Sequence, residues 1–211
     1  MAYNLAGLRQ RVVVDKLDDD EFDPDVVDNF INDAHKEILN QFELPFQEQI
    51  FKGAIPVGST MFQLPADVAL IQSQTVKGVM GFNGMKMAWR DFFNRYPDAD
   101  SNDSAAPSTW SLYGRNILLS APTDDEYDMT IYYIKKPTEL NEDTSVPDVP
   151  YEFEELLVLG AFKRVLERNE DYDLAAVVGV EYEKQLNLLV GRYGFREADG
   201  PITMRNKQTR R

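Results

Sequence analysis

Apolar positions recur in two different periods along this chain, and the places where the period changes predict its architecture. Leu5, Leu8, Val12 and Val13 predict a short helix over residues 5–17. A stronger helical pattern follows: Val26, Phe30, Ala34, Ile38 and Phe42 recur every four residues, with Val27, Ile31 and Leu39 alongside. Asp23 is placed to cap that helix, and Pro24 fits its first turn, where a missing amide costs nothing. Leu44-Pro45 ends it, so the expected span is 24–43.

The middle of the chain reads in strands. Gln47 to Ala54 and Thr60 to Leu64 surround a turn at Pro56-Val57-Gly58. Val76 to Met80 and Met85 to Trp89 flank Gly81-Phe82-Asn83-Gly84, a hairpin signal whose Asn-Gly pair suits positive φ. Ser108 to Tyr113 and Ile117 to Ser120 flank a second hairpin turn at Gly114-Arg115-Asn116. The acidic turn Thr123-Asp124-Asp125-Glu126 leads into a strand over Met129 to Ile134, completing a mostly antiparallel sheet within 46–136. Its end, Ile131-Tyr132-Tyr133-Ile134, reads as an edge strand running into Lys135-Lys136-Pro137 and a polar linker with Pro147 and Pro150. A polar loop between Tyr96 and Pro107 shows no apolar anchor, and loops of that length are commonly functional or mobile.

Helical spacing then returns. Phe153, Leu157, Ala161 and Val165, with Leu156, Val158, Phe162 and Leu166 beside them, predict a helix over 151–168. Ala175, Val178, Tyr182, Leu186, Leu189 and Tyr193 form the stripe of another over 172–193. The tight connection Asn169-Glu170-Asp171-Tyr172 sets the two antiparallel. Each large buried side chain contributes about 1.5–3 kcal/mol and an exposed ion pair about 0–1, so the stripes fix this part of the fold. Beyond Gly194 no period survives, and 194–211 reads as an extended basic C-terminal arm. The expected fold is α+β: a small bundle of about four helices, with an antiparallel β-rich insertion between the second and third. Residues 1–193 are expected to form a single adaptor domain.

Composition narrows the function. The 211 residues contain no cysteine and one histidine, His35, which removes disulfides, thiolate metal sites and any centre needing two imidazoles in one chain. No apolar run approaches the roughly 20 residues that span a bilayer, and no signal peptide is visible, so a soluble protein made in the cytoplasm is expected. A formal charge of −14, from 22 Lys and Arg against 36 Asp and Glu, disfavours tight binding to polyphosphate. The acids crowd the front, from Asp15 through Asp28. Arg196, Arg205, Lys207, Arg210 and Arg211 gather at the end, as in a terminal arm with its own partner.

Little here carries chemistry. Asp98, Asp100 and Asn102 match the opening of a calcium loop, but Asp103 stands where a glycine makes the turn and Thr109 where a bidentate glutamate belongs. A solvated loop is the better account. The Asp18 to Asp25 run suits a helix N-terminus more than a ligand set. No two acids are singled out as a hydrolytic pair. His35 lies beside Val27, Ile31 and Leu39 and reads as a structural histidine. Trp89, Trp110, Tyr132 and Tyr133 could stack bases, although sheet packing explains them better in so acidic a chain. No catalytic, cofactor-binding or metal-binding residue is assigned.

The layout resembles the head-to-tail adaptor (connector) proteins of tailed bacteriophages. The resemblance rests on Asp25-Val26-Val27-Asp28-Asn29-Phe30-Ile31-Asn32, on Leu64-Pro65-Ala66-Asp67, and on the run from Ile131 through Lys136-Pro137 to Leu140. It rests most on Val149-Pro150-Tyr151-Glu152-Phe153-Glu154-Glu155-Leu156-Leu157, continuing to Asp171-Tyr172-Asp173-Leu174-Ala175 and Tyr182. The resemblance implies a non-enzymatic virion protein without cofactors. Such a protein forms a ring, typically dodecameric, below the portal, extends the DNA channel and joins head to tail. Its expected partners are the portal protein, further copies of itself and the next tail or nozzle component. DNA would pass through without specific binding, no membrane would be involved, and the protein would reside in the virion neck. Phe195, Arg196, Ile202, Met204, Arg205, Lys207, Arg210 and Arg211 are the expected portal-binding residues of the arm. The alternatives are another head- or tail-completion ring of the neck, or a carboxylate-dependent hydrolase.

Overall fold

The computed structural model describes residues 3–17, 22–77 and 85–194, with side chains omitted for 72–77. The chain divides into two compact units: a β unit, Gln47–Lys136, and a helical unit built from the segments on either side of it.

In the helical unit, Asn4 caps α1 (Leu5–Gln10) by accepting from the Gly7 amide at 3.0 Å. The helix predicted to 17 changes hand-hold after Gln10: Arg11–Leu17 continues as wider π turns. Leu5, Leu8 and Val12 are nevertheless all buried. Asp23 caps α2 (Pro24–Gln41) through the Asp25 amide, 3.1 Å away. Its buried face is rotated by about one position from the expected stripe. Val27, Ile31, Ala34, His35 and Ile38 are sealed, whereas Val26 and Phe30 are half-buried. The reason is α4 (Glu154–Arg168), which buries Leu156 through Phe162 without a break and therefore sits at the centre of the unit. Gly160 is a point of close approach: a Cβ there would lie 2.8 Å from the Ala34 Cβ and 3.2 Å from the Tyr182 ring.

α4 ends in a Schellman arrangement, with the Glu170 amide bonded to Glu167 O at 3.2 Å and the Asp171 amide to Leu166 O at 2.9 Å. Glu170 supplies the left-handed residue, at φ 63°, and Asp171 then caps α5 (Tyr172–Tyr193) through the Leu174 amide. Ala175, Val178, Tyr182, Leu186 and Leu189 face the core, as their spacing predicts.

The β unit holds seven strands among its described residues, in two sheets. β1 (Glu48–Ile55), β7 (Tyr127–Lys135) and β3 (Val68–Lys77) form one, in the order β1-β7-β3, all antiparallel. The strand ending at Ile134 is thus central, not an edge. β2 (Met61–Gln63), β6 (Asn116–Leu119), β5 (Thr109–Tyr113) and β4 (Met85–Met87) form the other, in which β4 runs parallel to β5. The expected hairpin at Gly114 is present, with Gly114 at φ 60°. The one expected at 81–84 lies outside the described residues, and its flanking strands take partners in different sheets. The β3 strand also begins at Val68, well before the expected Val76.

Instead of a strand reaching Trp89, a short helix, α3 (Trp89–Arg95), follows β4. The two sheets share one core, in which Tyr127, Met129, Ile131 and Tyr133 alternate along β7 against Trp110, Ile117 and Leu119. Asp124 accepts the Tyr127 hydroxyl at 2.6 Å, which with burial pushes that phenol up to about 12, so it remains a donor.

Candidate interaction surfaces

Among the described residues no three acidic or histidine side chains are grouped to hold a metal ion. The calcium-like loop is bound up in the fold: Asp100 accepts from the Thr60 hydroxyl, and the Asn102 amide donates to Ser120 O at 2.9 Å. The Ala105 amide donates to Pro122 O at 2.9 Å, so polar bonds anchor the segment that apolar pattern left unanchored. Asp18, Asp19, Asp20 and Glu21 lie outside the described residues. Among the described residues no helix is long and apolar enough to cross a membrane.

His35 is fully buried, and its Nε2 accepts the Asp148 amide at 3.0 Å. The Nε2 therefore serves the backbone of the 137–150 linker as an acceptor. Asn32, one position short of a turn away on α2, does the same for Leu140, donating to its carbonyl at 2.9 Å and accepting from its amide at 2.8 Å. His35, read from the sequence as a structural histidine, is thus bonded to the backbone of that linker. Asn32 was not foreseen, although a polar residue inside an apolar stripe was its visible signal.

Glu154 is a third buried polar anchor, 2 % exposed, with both carboxylate oxygens on the Tyr3 amide at 3.0 and 3.1 Å. Burial pushes its carboxyl above the usual carboxylate range, against the hydrogen bond from Tyr3 and the nearby Arg11 charge, which favour ionisation.

Charge is partitioned between the units. Nine Lys and Arg face 24 Asp and Glu in 1–46 and 137–194, a formal −15; eight face ten in 47–136, and five face two in 195–211. In the helical unit eight of the nine Lys and Arg are held by its own carboxylates. Arg9 grips Asp28 at 2.5 Å and Asp143 at 2.7 Å, Arg11 and Lys16 share Glu155, Lys36 holds Glu139, and Arg164 holds Glu37. Apart from the exposed Arg168, the charge left over is acidic.

In the β unit the pattern reverses around α3. Lys86, Arg90 and Arg95 are exposed and form no ion pair among the described residues; they sit over the rings of Trp110, Trp89 and Tyr96 at 5.5, 5.2 and 5.7 Å. Beside them Trp89, Phe93 and Tyr113 form an exposed aromatic group with centroids 5.5 to 6.4 Å apart. The four residues grouped from sequence as a stacking platform do not meet as one: Trp110 and Tyr133 are core, while Trp89 and Tyr132 are exposed.

α5 carries a second apolar surface. Leu174, Val177, Val180 and Leu188 are exposed on the side opposite its buried stripe. Next to Val180, the small residues Ala176 and Gly179 open a groove of about 500 Å³ against Lys163 and Glu167 of α4. All the expected arm residues, Phe195, Arg196, Ile202, Met204, Arg205, Lys207, Arg210 and Arg211, lie outside the described residues.

The family model described as SU10 adaptor protein matches residues 3–205. No curated protein matches the chain.

Proposed function

The chain belongs to the SU10 adaptor protein family, a phage structural adaptor, and on that premise we propose that it forms a ring below the portal that joins head to tail. The ring extends the DNA channel, so that the genome passes through it on ejection, and it offers a platform to the next tail or nozzle component. It is expected to be dodecameric and to reside in the virion neck.

The observation that carries this reading is the state of the charges. A helical unit of formal −15 in which eight of nine cations are occupied by its own carboxylates has little to offer a phosphate backbone. DNA beside it is repelled and slides, as a channel requires. Exposed apolar side chains on α5 and α3 also suit a protein gripped by neighbours.

The basic arm is the portal contact in this proposal, and the rest of the chain, 1–193, acts as one adaptor domain. Phe195, Ile202 and Met204 supply apolar anchors, while Arg196, Arg205, Lys207, Arg210 and Arg211 steer toward an acidic groove. Purified portal mixed with the full chain and imaged by negative-stain microscopy should show an added annulus. Deleting the residues after Gly194 should abolish it. Undiminished binding by the truncated chain would refute the arm's role, and failure of the full chain to bind any portal would refute the adaptor-ring reading.

A further inference from the structure

We propose that the aromatic patch on α3 and β5 is one half of a contact between copies of this chain, the other half being the outward face of α5 on a second copy. This deepens the ring reading and rests on it.

The two surfaces differ in kind and complement each other. The patch joins the exposed rings of Trp89, Phe93 and Tyr113 to Arg90 and Arg95, which form no ion pair among the described residues. Aromatic and Arg side chains are the ones most enriched at binding hot spots. Cations left over in a chain with so large an acidic excess are available to carboxylates from outside. The outward face of α5 offers aliphatic knobs, Leu174, Val177, Val180 and Leu188, with Asp173, Glu181 and Glu183 beside them. Lys184, the cation of that face, already lies 3.3 Å from Glu181.

Like cannot pair with like here. Two α5 faces would bring acid to acid, and two α3 patches would bring cation to cation, so a two-fold contact is disfavoured on either surface. Joining unlike patches head to tail is the arrangement that builds a ring when its rotation closes. The groove at Ala176 and Gly179 gives an incoming aromatic side chain a place to enter.

Sedimentation velocity on the full chain, over a concentration series at low and high salt, tests the pairing. Self-association that weakens with salt is expected. Arg90→Glu with Arg95→Glu should raise the apparent Kd about ten-fold or more, and Glu181→Lys with Glu183→Lys should do the same. Combining all four should return it to within about three-fold of the original. Circular dichroism confirms that the variants, all at exposed or half-exposed positions, remain folded.

Association unchanged by both reversals would overturn the pairing while leaving the ring reading intact. A chain that stays monomeric at every concentration would also overturn it. So would a monomer that binds a single-stranded oligonucleotide and loses that binding with Arg90→Glu and Arg95→Glu.

Discussion

The side-chain amide of Asn32 closes a two-bond ring with the backbone of Leu140, 108 residues away in sequence, with distances of 2.8 and 2.9 Å. A primary amide is the group that supplies a donor and an acceptor side by side, so Asn32 mimics a strand partner inside a helical unit. Its nitrogen also reaches Asp28 O at 3.1 Å. Asn32→Ala leaves the Leu140 groups unpaired and should cost about 2–4 kcal/mol, taking two such groups at about 1–3 each with partial relief. Asn32→Asp, which sets a carboxylate oxygen against the Leu140 carbonyl, should cost at least as much. Urea unfolding followed by circular dichroism measures both.

Glu154 gives the fold a predictable response to pH. Its carboxyl is raised by burial, so the folded state binds its proton more tightly than the unfolded state does. Stability from this group is therefore whole below the ordinary carboxylate value, about 4.3, and declines as pH rises through the raised value. Glu154→Gln keeps an acceptor for the Tyr3 amide and removes the titration. Its Tm should fall less than that of the parent chain between pH 4 and pH 7, values chosen to bracket about one carboxylate titration. Equal slopes would show that Glu154 does not set the dependence.

Gly160 lets three helices meet. An added methyl would fall 2.8 Å from the Ala34 Cβ, and neither backbone can yield without moving α2 from α4. Gly160→Ala should therefore destabilise by about 1–3 kcal/mol despite alanine's better helix propensity. Gly191→Ala, with nothing within 4 Å, is the control, and should be neutral or stabilising. Paired thermal melts decide it.

Glu170 is the described non-glycine residue held at positive φ. Glu170→Gly removes the strain of a left-handed Cβ at the end of α4 and should stabilise by about 0.5–1 kcal/mol, after the entropy glycine loses on folding. A lower Tm would mean that the glutamate side chain contributes more than its backbone costs.

The legible parts of this fold were those fixed by local repetition. The stripes of α2, α4 and α5, the Asp23 cap and the turn at Gly114 all follow from spacings of a few residues. What escaped depended on distant partners. Whether β7 is central or peripheral is decided by β3, whose second half, Gln72-Ser73-Gln74-Thr75, carries no apolar alternation to announce it. α3 is seven residues long, too short for a helical period to show. The exact face of α2 was set by how α4 lies against it, not by α2 itself.

The interaction surfaces were legible in a different way. The core stripe of α5 accounts for its buried residues, and Leu174, Val177, Val180 and Leu188 are the apolar remainder that it leaves unexplained. The aromatic group was half visible, because Trp89 stands out in sequence while Phe93 and Tyr113 join it only through the packing of α3 on β5. Charge totals hid the rest. An overall −14 gives no hint that nearly all of it resides in one unit.

The pairing of Glu48 with Ile134 sets the entry and exit of the β unit opposite each other on one rung of a ladder. The chain thus leaves for the sheets and returns through a doorway two strands wide. An excision from one of these residues to the other leaves a gap that a tight turn can bridge, so changes in the length of the sheet-bearing segment need not alter where the helical segments are joined. Interchangeable cargo on a constant chassis is the evolutionary freedom that this one register provides.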